Sequence, residues 1–152
     1  MNPILRFHIQ HDSDGTAELF VELLHPIFTG RGSAWFDAIA LVELGVTLSE
    51  TFPLNREKPI ELIGGYWDHL GAIDQLHVGL KFYPIGGTGT VGIHVQLATD
   101  CQADERIESQ CKVSAEVNTN YEELRRFGFA LQAIALNQAS HAELHGSASS
   151  LR

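Results

Sequence analysis

Two cysteines in 152 residues are too few for a disulfide framework or a four-thiolate zinc site, so Cys101 and Cys111 are expected to be free thiols. No apolar run approaches the roughly 18 residues that a membrane-spanning helix needs. The opening stretch Met1 to His8 lacks the apolar core of a secretory leader, so a cytoplasmic location is expected. Basic residues are also scarce: 10 Lys and Arg stand against 19 Asp and Glu, a formal charge of −9. That balance repels phosphate backbones, and the only adjacent basic pair, Arg125-Arg126, sits beside Glu122-Glu123. Nucleic acid is excluded as a partner on this reading, and a basic protein partner is favoured.

What is present suffices for one packed domain. Hydrophobic residues make up 44% and charged residues 19% of the chain, outside the range of disordered sequences. Leu5, Phe7 and Ile9 alternate with Arg6, His8 and Gln10, the period of a half-buried strand. The turn-forming run Asp12-Ser13-Asp14-Gly15 then leads into a second alternating strand, Thr16 to His25. After the break at Pro26 and Thr29-Gly30-Arg31-Gly32, a helix is expected from an N-cap at Ser33 to a stop at Gly45. Trp35, Phe36, Ile39, Val42 and Val46 would form its buried stripe.

Four further strands follow in the pattern. They are Ile60 to Trp67 (bent at Gly64-Gly65), Ile73 to Tyr83, Thr90 to Thr99, and Arg106 to Val117, the last with Ile107 and Cys111 facing inward. Asn120 and Glu123 have the spacing of a helix-capping pair. Leu124, Phe127, Leu131, Ile134 and Ala135 continue it as an amphipathic helix to about Gln138. The expected architecture is an α+β two-layer sandwich of order ββ-α-ββββ-α. It has one mostly antiparallel six-stranded sheet and two helices on one face, over residues 1–138, with 139–152 a polar tail.

No catalytic constellation emerges. Gly87-Thr88-Gly89-Thr90-Val91-Gly92 matches a dinucleotide fingerprint by letters, but a strand follows it where that fold needs a helix, so it is a hairpin turn. His141 and His145 have a chelating spacing on a helix. Glu143, however, stands at neither position a zinc protease requires, and the pair lies in the expected tail. Asp68, His69 and Asp74 read as turn residues rather than as a general-base pair. Gly30-Arg31-Gly32-Ser33 reads as a connection rather than an anion loop. No metal and no cofactor is expected.

The residues that do converge are polar ones on the open sheet face. His77 and His94 alternate with core positions on neighbouring strands, Gly79 and Gly92 leave that face bare, and Gln96, Gln110 and Lys112 join them. These five side chains form the candidate binding site.

From about Thr16 to Leu136 the order of elements resembles that of an uncharacterised family of small bacterial α+β proteins. Gly89 to Leu97 resembles that family's central hairpin strand and Leu124 to Leu131 its terminal helix. The tryptophan-glycine pair typical after the family's first helix is missing. The resemblance implies a fold and, because some members look like immunity proteins that neutralise toxins, a non-catalytic binding role. Two rival expectations stand beside it. One is a small-molecule-binding protein or enzyme using the His77/His94 face, the other a structural homo-oligomer pairing through an open sheet edge.

Overall fold

The computed structural model describes residues 2–148. It is α+β, with two helices and eight antiparallel strands in two four-stranded sheets rather than one six-stranded sheet. Strands β1 (Ile4–His11), β2 (Thr16–Leu24), β3 (Thr29–Asp37) and β8 (His141–His145) form the first sheet in the order β3-β2-β1-β8. Strands β4 (Ile60–Trp67), β5 (Ile73–Ile85), β6 (Thr90–Ala98) and β7 (Lys112–Asn120) form the second as a simple meander. Helices α1 (Ala38–Glu50) and α2 (Tyr121–Ala135) complete the fold.

The two additional strands come from segments whose composition conceals them. Thr29 to Asp37 carries two glycines and a serine, yet it pairs with β2 along its whole length, from Thr29 opposite Leu24 to Asp37 opposite Thr16. Gly30 and Gly32 are required there by close approach. A Cβ on Gly30 would strike Val113 of β7, and one on Gly32 the backbone carbonyl of His77. At the far end of β3, Ala34 and Phe36 press on Gly64 of β4. The strand therefore crosses β7, then β6 and β5, then β4, and holds the sheets transverse to one another over a shared core.

The helix start moves accordingly. Ser33 is not a cap; the helix begins after Asp37, and its buried positions are Leu41, Leu44, Gly45 and Leu48. Trp35 and Ile39, expected in the core, are exposed. Gly45 does not stop α1 but sits at its crossing with α2, 2.7 Å at its would-be Cβ from the carbonyl oxygen of Gly128. The second helix starts and buries its stripe as expected but ends three residues early, at Ala135: Asn120 Oδ1 accepts from the Glu123 N–H at 2.8 Å, and Leu124, Phe127, Leu131 and Ile134 are buried. Phe127 meets Phe7 of β1 edge-on at 4.9 Å, which seats α2 on the first sheet.

Three other segments differ from the pattern read in the sequence. Arg106 to Cys111 is not strand: a short 3-10 turn, Ile107–Ser109, precedes β7, and Ile107 and Cys111 are exposed. Both thiols are free. Ala142 and Leu144, inside the expected tail, are buried as β8 pairs with β1. Four residues of that tail, 149–152, lie outside the described residues. Among the described residues no helix is long and apolar enough to cross a membrane.

Candidate functional site

A single irregularity decides where His77 points. Between β4 and β5 the register skips a residue: Gly64 lies opposite Val78 and Gly65 opposite Leu76. Gly65 takes φ +154, and any Cβ there would collide with the Gln75 carbonyl. The bulge reverses the alternation below Val78. Leu76, which the alternation places inward, instead lies over Gly79 on the outer face of the second sheet, 3.1 Å from where a Cβ would be. His77, expected on that outer face, turns inward and is only 5% exposed.

His77 and His94 are therefore not neighbours. His94 lies opposite Lys81 on one side and Glu116 on the other, with Ser114 Oγ 3.2 Å from its Nε2. Among the described residues nothing orients its other ring nitrogen, so the pair lacks the third group of a nucleophilic triad. Gly92 is not bare either, because Tyr83 and Ile85 lie over it. Tyr83 donates to Glu116, and its phenol is pushed up by burial and then by that carboxylate. Gln96, Gln110 and Lys112 do converge, in an outer cleft of about 600 Å³ that includes Leu76 and Ser114.

The other face of the molecule holds a more elaborate arrangement. On the open face of the first sheet, the register aligns side chains in rows across the strands. One row runs Arg31, Glu22, Arg6, Glu143. Its successive ion pairs measure 3.7, 3.2 and 3.0 Å, an alternation of charge that favours this register. The next row is Ser33, Phe20, His8, His141, with His8 stacked on Phe20 at 4.5 Å. Then come Trp35 and Glu18. His141 and His145, spaced for chelation on a helix, are four residues apart on a strand, about 13 Å. Among the described residues no group of three or more His, Cys, Asp or Glu is placed to hold a metal ion.

Where β3 overhangs the second sheet, this face deepens into a cleft of about 540 Å³. Glu18, Phe20, Arg31, Ser33 and Trp35 line it from the first sheet, Tyr66 and His77 from the second, and Asp100 from the loop after β6. Trp35 and Tyr66 are 53% and 42% exposed. Tyr66 packs edge-on against the His77 ring at 4.6 Å. Its hydroxyl donates to Asp100 Oδ2 at 3.1 Å, and Gln102 Nε2 donates to the same oxygen at 2.8 Å. Those two hydrogen bonds hold the Asp100 carboxyl below the usual range, so it is charged at neutral pH.

The protonation of His77 follows from its neighbour. Gln75 Oε1 accepts the Cys101 N–H at 2.8 Å while Gln75 Nε2 donates to the Cys101 carbonyl at 2.9 Å. The oxygen is thereby assigned, and His77 Nε2, 2.6 Å from it, must be the donor. Burial lowers the His77 pKa against the pull of Asp100. The imidazole is neutral near pH 7, and its Nδ1 carries a lone pair with no hydrogen-bond partner among the described residues.

Of the five residues singled out from the sequence, His77 belongs to this cleft, Gln96, Gln110 and Lys112 to the outer one, and His94 stands beside the latter. Sequence reasoning missed Glu18, Trp35, Tyr66 and Asp100. One signal was available: Phe20 falls on the polar side of β2, where an aromatic ring needs a reason to be. No family model matches the chain, and no curated protein or solved structure does either.

Proposed function

We propose that the protein is a non-catalytic binding protein that engages a basic protein partner through the cleft on the open face of its first sheet. The observation that carries this reading is the cleft itself. Exposed aromatic rings stand in it beside polar groups held by neighbours, and one of those groups, His77, is buried, the composition expected of a recognition surface rather than of a solvated sheet. The net charge of −9 would speed encounter with a positively charged partner. The fixed Tyr66–Asp100–Gln102 and His77–Gln75 contacts suit rigid docking, and no serine or cysteine hydrogen-bonds to His77 among the described residues. An immunity-type role, as the sequence resemblance implies, is consistent with these features.

The outer cleft with Gln96, Gln110 and Lys112 supports a second reading, small-molecule binding at a separate face. A photo-reactive residue placed at Ser33 or Trp35, and in parallel at Gln96 or Lys112, separates the two in the cell that makes the protein. The leading reading expects one basic protein cross-linked from the first pair of positions. Cross-links confined to the second pair would refute it.

A further inference from the structure

Resting on that reading of the cleft, we infer that its occupant is a cationic, donor-rich side chain, an arginine guanidinium of the partner, received between the rings of Trp35 and Tyr66 by three free acceptors: Glu18, Asp100 and His77. Each acceptor has a definite vacancy. Glu18 Oε2 takes the Ser33 hydroxyl at 3.0 Å, and Asp100 Oδ2 takes Tyr66 and Gln102. Beyond these, no other residue donates to either carboxylate, and neither has a cationic partner, among the described residues. Their fixed partners are neutral, so both negative charges remain for a ligand. The third acceptor is independent of the carboxylates. His77 is buried, its Nε2–H is spent on Gln75, and the lone pair of Nδ1 is left on a side chain that lines the cleft.

Three acceptors without donors call for a group that is all donor. A guanidinium has five N–H groups in one plane and no acceptor, and its flat face stacks on aromatic rings. An anion is disfavoured by the same groups, and a neutral amide would bring an acceptor that finds no use. The cleft contains two cations of its own, but both lie in the charged row. Arg6 is shared between Glu22 and Glu143, and Arg31 reaches Glu22 at 3.7 Å. Arg31 is the one whose charge opposes an incoming cation, since its side chain is 83% exposed.

The test uses the full chain and two probes that differ in one group: N-acetyl-arginine amide and its neutral isostere, N-acetyl-citrulline amide. Binding is read from the indole N–H resonance of Trp35 during titration. The arginine probe is expected to give a saturable shift, with the citrulline probe at least tenfold weaker. Glu18→Gln and Asp100→Asn should each weaken the arginine probe severalfold, and Arg31→Gln should strengthen it. These changes lie on exposed or half-exposed side chains, and unchanged backbone amide shifts elsewhere would show the fold intact. Equal binding of the two probes, or indifference to both carboxylate substitutions, would overturn the assignment. A partner still cross-linked from Trp35 in that case would leave the protein-binding reading standing. Arginine selectivity with cross-links only from Gln96 and Lys112 would do the reverse.

Discussion

Replacing Gly128 by alanine puts the helix crossing under direct test. The new Cβ would lie 2.6 Å from the carbonyl oxygen of Gly45, 2.7 Å from the backbone nitrogen of Ser49 and 3.0 Å from its Cβ. Two of these atoms belong to the backbone of α1, so no side chain can swing aside. The helices must part by several tenths of an ångström, loosening the contacts of Leu41, Leu44, Leu124 and Leu131 behind them. Forced overpacking costs about 1–3 kcal/mol, and a clash against rigid backbone belongs to the upper part of that range, about 2–3 kcal/mol. Alanine offsets about 1 kcal/mol of that through its higher helix propensity. A net loss of about 1–2 kcal/mol is expected, a fall in Tm of about 2–8 °C for a chain of this length. Urea and thermal unfolding followed by circular dichroism measure it, with Gly87→Ala as control: that glycine sits in the β5–β6 turn with nothing within 4 Å of a Cβ. If Gly128→Ala were neutral or stabilising while the control was silent, the close crossing of α1 and α2 would be wrong.

Removing the α2 cap with Asn120→Ala should cost about 1 kcal/mol, visible as a lower urea midpoint with unchanged m-value; no change would mean that the Asn120–Glu123 bond contributes nothing in solution. Acidification should destabilise the protein through His77. Its folded pKa lies below the ordinary value of about 6.5, so the unfolded chain takes up the proton first. That contribution is complete above about pH 6.5 and is lost as pH falls toward the folded pKa. The urea midpoint should therefore drop less between pH 7.5 and 5.5 in His77→Gln than in the unaltered protein, and identical slopes would count against a neutral buried imidazole. A thiol reagent should find two reactive groups in the native protein, Cys111 fast and half-buried Cys101 slower; finding no titratable thiol after non-reducing denaturation would contradict free cysteines.

How much of this was legible beforehand depended on how local the deciding interactions are. The strands β1, β2 and β6 were readable because one face of each packs into the core, fully buried in β2 and β6 and buried to half-buried in β1, which writes a period of two into the residues. The α2 start was readable because capping spans three residues. The β5–β6 turn declared itself through Gly86, Gly87 and Gly89, two of which take positive φ. The cleft was not legible in the same way. Trp35 looked like helix core because Gly30 and Gly32 disguised β3 as a loop, and only its transverse passage over the second sheet explains those glycines.

Composition, and neighbours a few residues apart, are enough to specify the α+β class, the antiparallel hairpins, the acidic charge and the α2 helix. Everything else depends on contacts between distant segments. A one-residue skip opposite Gly65 reversed the faces of Leu76 and His77, and no periodicity in β5 announces it. The division into two sheets rests on β3 pairing with β2 while lying across β4 to β7. The recruitment of β8 matches residues 141–145 to residues 4–8. Arg6 meeting Glu143, and Trp35 sharing a cleft with His77 and Asp100, are likewise encounters between distant segments. Such pairings depend on which surfaces remain uncovered once the local elements have formed, and that is a property of the assembled core rather than of any single stretch of chain.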